Sequence, residues 1–375
     1  MDERRATGDM AAAGELWRSA AGERRDPRQR VVFLSGAAEP WGAEHSLRAI
    51  ASRLPEHGMA VEVWCSSEST TAFLRQRPGL RVRRIATAHG RAATVLAFGR
   101  ALLAERPAVA VVFSLYLLPV VALCRALGTP TRFVLDLHDM PRGRGDLLAV
   151  HLLGSLSSGL IAISRSTAQW ARRIRAPQRI VPRPMEGPAA PPRDAPRAPF
   201  RLGVVGRLDP EKRIELAIAA VAQVPQAVLV VYGSPGVDGG RYAEGLRDLA
   251  ESTAPGRVLF QGRRPPAEIY PDLDALMVAN DREPSGRSVG EAMLAGIPVI
   301  TPDRGGAVEF HEPDTSGIQF TAGDADGAAD ALRSLIDDRR RYAAIAVAGQ
   351  RRLLDERDPA AVAACYAHAL RELAG

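Results

Sequence analysis

One dense stretch holds most of the residues suited to chemistry. Asp281–Gly296 reads Asp-Arg-Glu-Pro-Ser-Gly-Arg-Ser-Val-Gly-Glu-Ala-Met-Leu-Ala-Gly. Pro284 and Gly286 break the chain between Glu283 and Glu291, and Ala292–Ala295 supply helix formers. Glu283 is therefore expected on a loop and Glu291 inside a helix, flanking a helix N-terminus whose first backbone N–H groups have no intrahelical acceptor. Such an end attracts anions. Carboxylates beside it repel an anion unless they face something else, and hydroxyl groups attached to that anion suit them. The plainer alternative is that both glutamates merely favour the helix start through its dipole.

A second stretch complements the first. Phe200–Val205 is a short apolar run followed by Gly206-Arg207-Leu208-Asp209-Pro210-Glu211-Lys212, and then by Ile214, Ala217, Ile218 and Val221 at amphipathic-helix spacing. A strand, a glycine loop and a helix are expected, with Asp209 as N-cap, Pro210 at the first helical position and Lys212 in the first turn. A cation there opposes the helix dipole unless a phosphate is bound beside it. Of the 49 basic residues Lys212 is the sole lysine, which separates it from an ordinary solvated surface charge. Arg207 would reach the same phosphate. A diphosphate at the helix end, one carboxylate on sugar hydroxyls and the other on a ribose diol together describe a nucleotide-sugar.

Other candidates are weaker singly. Ser35-Gly36 and Gly42 follow the first expected strand and let backbone approach a ligand, and Gly233 ends a later strand. Leu137-His138-Asp139 ends a strand at a sheet's carboxyl edge, which favours a site role for His138 over a structural one. Asn280, the sole asparagine, directly precedes the carboxylate stretch, where its amide suits holding the loop. There is no nucleophile elbow, no Walker lysine followed by Ser or Thr, and no Gly-x-Gly-x-x-Gly with a distant acid.

The elements that must position these residues alternate along the chain. Strands are expected at 31–34, 61–65, 80–85, 109–113, 132–137 and 160–163, with helices between most of them and none assigned between 65 and 80. Seven prolines between Val181 and Phe200 interrupt the rhythm, which restarts with strands at 200–205, 227–232, 258–260, 275–279 and 299–301. The reading is α/β, with two doubly wound Rossmann-like domains facing a cleft, and ligands at the carboxyl ends of the strands. The expected organisation is a disordered leader at 1–30, a first domain at 31–184, a proline-rich linker at 185–199, a second domain at 200–357 and a last helix at 358–375. A chain of 375 residues is longer than one core usually grows, which agrees with two domains.

Composition narrows the class. Apolar content of 46% and charged content of 25% are those of a soluble globular protein. The net charge of +6 is uneven, since basic residues outnumber acidic ones over 1–185 and the reverse holds over 186–375. With aromatics at 5% and no recognition motif, nucleic acid is not an expected partner. An anionic membrane surface or a phosphorylated acceptor fits the basic half better, beside the plain possibility of a solvated arginine face. Met1–Arg30 has no apolar core of a secretory signal, and the uncharged runs 108–124 and 147–164 are too short and interrupted to span a membrane. They read as buried strands and helices. Cys65, Cys124 and Cys365 lack metal-ligand spacing and read as buried thiols in a reducing, cytoplasmic compartment.

Taken together, Gly206-Arg207-Leu208-Asp209-Pro210-Glu211-Lys212-Arg213, the Glu283-x7-Glu291 pair and Ile297-Pro298-Val299-Ile300 with Gly305-Gly306 and Glu309 resemble retaining glycosyltransferases of family four, with the GT-B fold. Gly42-Ala43-Glu44 and His138-Asp139 resemble that family's amino-terminal motifs in outline. The resemblance implies sugar transfer from a nucleoside diphosphate donor, a UDP-sugar first, with no cofactor and no metal. Arg207 and Lys212 would take the diphosphate, and Glu283 the sugar hydroxyls. The backbone at Gly286, Arg287, Ser288 and Val289 would cap the phosphates, Glu291 would bind the ribose, Gly233 would admit the nucleotide and His138 would meet the sugar. The final helix is expected to cross back onto the first domain. Ser285 replaces the family's usual aromatic residue and Ala279-Asn280-Asp281 its usual Pro-Ser, which bears on sugar choice.

Three competing readings stay open: nucleotide-sugar epimerisation or hydrolysis on the same fold, a non-catalytic binder of anionic surfaces, and an NAD-linked oxidoreductase.

Overall fold

Short runs dominated by Val, Leu and Ile form the central strands of two parallel sheets, because strands covered by helices on both faces must be apolar throughout. The computed structural model describes residues 30–87, 90–140, 143–236 and 240–375; the leader expected at 1–30 lies outside these apart from Arg30. The first sheet contains β1 (Arg30–Ser35), β2 (Ala60–Cys65), β3 (Val82–Arg84), β4 (Val109–Val112), β5 (Arg132–Leu137), β6 (Gly159–Ala162) and β7 (Gln178–Ile180). The second contains β8 (Phe200–Val205), β9 (Ala227–Tyr232), β10 (Val258–Gly262), β11 (Ala275–Met277), β12 (Val299–Pro302) and β13 (Ile318–Phe320). Their orders are β3-β2-β1-β4-β5-β6-β7 and β10-β9-β8-β11-β12-β13. In both sheets the order reverses beside the first strand, which opens a crevice at the strands' carboxyl ends.

Residues 181–199 contain neither helix nor strand, as their prolines dictate. They are nevertheless fastened to the second sheet's domain. The Ala190 N–H donates to the Leu294 carbonyl at 3.0 Å, and Arg193 and Arg197 both reach the buried Asp274 carboxylate, at 3.1 and 2.9 Å. The last helix, Pro359–Ala374, is capped by Asp358, whose Oδ1 accepts from the Ala361 N–H. Its Val362, Tyr366, Ala367 and Leu370 lie in one core with Val31, Phe33, Val134 and Ile161 of the first sheet. The final segment of the chain therefore completes the core that the first segment begins.

Several expectations need correction. Strands β7 and β13 were not foreseen, because each is a three-residue edge strand whose pairing, not its composition, defines it. The helix Glu68–Arg75 was also unforeseen. Lys212 is not in the first turn of the following helix. Pro210–Lys212 forms a separate 3-10 turn, Arg213 takes a left-handed φ of 51°, and the α-helix begins only at Ile214. Asp209 makes no side-chain cap; its carboxylate pairs instead with Arg207 at 3.3 Å. Cys65 and Cys124 are buried, but Cys365 lies on the exposed face of the last helix. Run 147–164 is not wholly buried either: Leu148, Leu152 and Leu156 are exposed. Among the described residues no helix is long and apolar enough to cross a membrane.

One buried and one partly buried imidazole give stability a pH dependence. His311 donates to or accepts from Thr301 Oγ1 at 2.8 Å, and burial pushes its pKa down to about 4; burial likewise lowers His45 to about 4, helped by Arg287, Arg48 and Arg263. An unfolded histidine titrates near 6.5, so between roughly pH 6.5 and 4 the unfolded chain takes up protons that the folded chain refuses. Stability is thus full above that window and falls as pH drops through it. The urea midpoint is expected to decline from pH 7 to pH 4.5, and His311→Gln with His45→Gln to flatten the slope; an unchanged slope contradicts the assignment.

Candidate active site

The crevices of the two sheets face one another across a cavity of about 840 Å³. From the first domain it is lined by residues that include Gly42, Glu44, Tyr116 and His138, and from the second by Arg207, Lys212, Gly233, Glu283, Arg287 and Glu291. In its lining Lys212 Nζ donates to Glu283 Oε2 at 2.6 Å. The contact joins the glycine loop after β8 to the loop after β11, which are 71 positions apart. Burial pushes the Glu283 carboxyl up, but the Lys212 ammonium, the Asn280 amide and the nearby Arg207 outweigh it and hold the group below the usual carboxylate range. Glu283 is therefore an anion at neutral pH. Lys212 has three N–H donors and spends one here, leaving two for a ligand.

The loop that carries Glu283 is shaped by its neighbours. Asn280 Nδ2 donates to Glu283 Oε2 at 3.2 Å while its Oδ1 accepts from the Arg282 N–H at 2.8 Å, so the residue steers the glutamate without lining the cavity. The Gly306 N–H donates to the Glu283 carbonyl at 2.6 Å, and a Cβ on Gly306 would stand 2.2 Å from the Pro284 carbonyl oxygen. Only glycine permits that approach. From the first domain, Ser164 Oγ donates to the same Pro284 carbonyl at 2.7 Å, and Glu309 accepts from the N–H groups of Arg165 and Ser166 at 3.0 and 3.2 Å. Glu309 thus caps a helix of the opposite domain, and the site loop bridges the two halves.

Helix Arg287–Leu294 starts at Gly286, whose φ of 91° suits glycine. Arg287 and Ser288 line the cavity at its first turn. Val289 does not belong with them, because its N–H already donates to the Gly286 carbonyl at 2.9 Å and its side chain is fully buried in the core. Glu291 is held on both oxygens, by Arg287 Nε at 2.8 Å and by the Tyr270 hydroxyl at 2.7 Å. Tyr270 was missed in the sequence, where nothing distinguishes it from a core aromatic.

The remaining candidates divide. Gly42 lines the cavity, and a Cβ there would come within 3.0 Å of Arg287 Cδ, so the two domains meet at this point. Gly233 lines it too, but its lack of a Cβ is first required by the Gly206 carbonyl, which a Cβ would meet at 1.8 Å. Gly36 is a correction: it is not among the lining residues and lies beneath Tyr116, whose hydroxyl donates to the Gly36 carbonyl at 2.8 Å. Ser285 and Gly286 also lie outside the cavity lining, where they pack beside Gly306 and Ala307. His138 lines the cavity with Nδ1 3.2 Å from Asp136 Oδ1 and its ring 4.2 Å from that of Phe113. Among the described residues no group of three or more His, Cys, Asp or Glu side chains is arranged to hold a metal ion.

The fold is one that known proteins share. The family model described as glycosyl transferases group 1 matches residues 192–352, and the one described as a glycosyl transferase 4-like domain matches residues 42–186. A GDP-mannose-dependent alpha-mannosyltransferase of Mycobacterium tuberculosis is 31% identical over 145 residues, covering 38% of this chain and 36% of that protein. A 2-deoxystreptamine glucosyltransferase of Streptomyces kanamyceticus is 32% identical over 162 residues, 41% of each. These alignments span well under half of either relative. The crystal structure of Anabaena HepE in complex with UDP-glucose has a TM-score of 0.80 at 22% identity, covering 92% of this chain and 99% of that one. Sucrose-phosphate synthase from Thermosynechococcus elongatus has a TM-score of 0.76 at 20% identity, covering 92% and 99%. With both halves matched in order and the two facing sheets in place, the chain belongs to the GT-B glycosyltransferases of the family-four type.

Proposed function

We propose that the chain transfers a sugar from a nucleoside diphosphate donor to an acceptor hydroxyl with retention of anomeric configuration. The observation that carries this is the 2.6 Å contact between the sole lysine and Glu283, with Arg207 beside it, in the cleft. The two cations and the first turn of helix Arg287–Leu294 would hold the diphosphate, where negative charge grows as the bond from the anomeric carbon to the phosphate oxygen breaks. Glu283 would accept from the sugar hydroxyls, and the acceptor oxygen would bond to the anomeric carbon while its proton leaves on the released diphosphate. Glu291, fixed by Arg287 and Tyr270, would accept from the ribose hydroxyls through lone pairs these donors leave unused. A second cavity of about 360 Å³ adjoins the first at Gly233 and Ser234 and is lined by Arg247 and Phe260, which gives the base a place to lie.

Uridine was the expected base, and the HepE structure holds UDP-glucose, whereas the mycobacterial relative is named for GDP-mannose. A thermal-shift series with UDP-glucose, GDP-mannose and the free diphosphates separates them, since a ligand that binds only the folded chain raises its midpoint. The acceptor would be a lipid phosphate, a sugar phosphate or a small natural-product core, each with a hydroxyl to offer. The helix Arg144–Gly154 favours a membrane setting. Its Ala149 and Leu153 line the cleft while Leu148 and Leu152 project outward, and the exposed Arg165, Arg172, Arg173 and Arg175 stand in the neighbouring segment. Exposed apolar side chains together with exposed arginines suit an anionic bilayer.

Removing one donor to developing charge costs about 3 kcal/mol, so Lys212→Ala is expected to slow nucleoside diphosphate release roughly 100-fold or more in the presence of an acceptor, with the thermal midpoint recorded as a control. Activity within about threefold of the parent overturns the proposal. Sugar released or epimerised from donor alone, at the same rate as with any acceptor, favours the hydrolase or epimerase reading. In flotation with phosphatidylglycerol vesicles, the parent is expected to rise at low salt and sink at high salt, and Leu148→Glu with Leu152→Glu to sink at both. If the double variant still floats, this helix is not the contact.

A further inference from the structure

We propose that Asp136 is the positioning residue for His138, and that Arg183 and Tyr366 hold Asp136 in place, so that the last helix of the chain is tied into the site. The inference rests on the reading, implied by the family resemblance, that His138 meets the donor sugar. Asp136 is fully buried near the carboxyl end of β5. Its Oδ1 lies 3.2 Å from His138 Nδ1 and also receives Arg183 Nη2, while its Oδ2 accepts from the Tyr366 hydroxyl at 2.7 Å. The three donors come from three different parts of the chain: the end of β5, the segment leading out of the first domain, and helix Pro359–Ala374.

A buried ion pair is a costly way to fill space, and apolar residues of similar volume often serve stability as well or better. Arg183 and Asp136 balance each other in charge, and the further hydrogen bond from Tyr366 is more than neutralisation requires. What the arrangement does supply is a fixed acceptor for one edge of the imidazole. An acceptor at Nδ1 selects the tautomer with the proton there and leaves the Nε2 lone pair as the acceptor, because each ring nitrogen's state follows from the bond the other makes. Burial pushes the Asp136 carboxyl up, but Arg183, His138 and Tyr366 together outweigh it and keep the group ionised. The ring plane is restrained separately, by Phe113 at 4.2 Å and a tilt of 31°, with the Arg183 guanidinium 5.8 Å from the centre of Phe113. No hydrogen bond to His138 Nε2 is made by any described residue, and His138 lines the cleft. The buried Glu44, whose Oε2 accepts from the Trp41 N–H at 3.0 Å, is a second carboxylate near the ring.

The test is nitrogen-15 NMR of the histidine side chains in the full chain, with His138 assigned by comparison with His138→Gln. In the parent the proton is expected on Nδ1, and Nε2 is expected to show the shift of an unprotonated ring nitrogen. Asp136→Asn, which keeps an oxygen toward Arg183 and Nδ1 but removes the charge, is expected to weaken the preference for the Nδ1 proton and to lower kcat about 10- to 100-fold, the equivalent of one charge-assisted hydrogen bond, with donor KM within about twofold. Tyr366→Phe keeps the Arg183 pair, and so the fold, and is expected to give a mixture of tautomers and a smaller loss of kcat. The proposal is overturned if the parent carries the proton on Nε2, or if Tyr366→Phe leaves both tautomer and kcat unchanged. Should Asp136→Asn not fold, the parent spectrum and Tyr366→Phe decide. Full activity in His138→Gln would defeat the reading of His138 itself, while the parent spectrum would still report whether Asp136 sets its tautomer.

Discussion

A lysine and a glutamate held 2.6 Å apart between two loops, each following a strand of the second sheet, set the conditions for everything around them. The pair neutralises itself without a ligand, so neither charge is stranded in a half-buried cleft, yet each side chain retains hydrogen-bonding capacity. Fixing it demands that two loops far apart in sequence be positioned to a fraction of an ångström. The structure achieves this with backbone approaches that only glycine allows, at Gly306 against the Pro284 carbonyl and at Gly233 against the Gly206 carbonyl. The cleft therefore owes its shape to glycines that face protein, and only secondarily to glycines that could face a ligand.

The same loops join the two domains. Ser164 and the first N–H groups of the helix after it meet the Pro284 carbonyl and the Glu309 carboxylate, so the segment that presents Glu283 is gripped from the opposite side. The last helix makes a second connection by completing the first domain's core, and the segment 181–199 is pinned along the second domain by Asp274 and Leu294. The hydrogen bonds of Ser164, Arg165 and Ser166 to the opposite domain are each worth on the order of 1 kcal/mol, which is compatible with opening for a substrate.

Much of this was legible in the residues. The strand at 200–205, the glycine loop, the carboxylates astride a helix start and the alternation of strands and helices all rest on local patterns, and the structure has strands or helices where those patterns are long and periodic. Local patterns failed where a partner decides the outcome. Gln178–Ile180 and Ile318–Phe320 are strands because a neighbour offers hydrogen bonds. Gly36 looks like any ligand-facing glycine until Tyr116, 80 positions away, is seen to cover it. Tyr270 reads as a core aromatic, and only the fold sets its hydroxyl on Glu291.

By itself the sequence determined the fold class, the presence of a helix end between two carboxylates and the singularity of Lys212, since these depend on residue type and on spacing within one segment. Tertiary structure alone decided that Lys212 faces Glu283, that Val289 spends its N–H within its own helix turn, and that Asp136 gathers donors from three distant segments. The physical reason is range. Periodicity and capping act over a few residues, whereas ion pairs, close backbone approaches and buried hydrogen bonds are fixed only once the whole chain has packed.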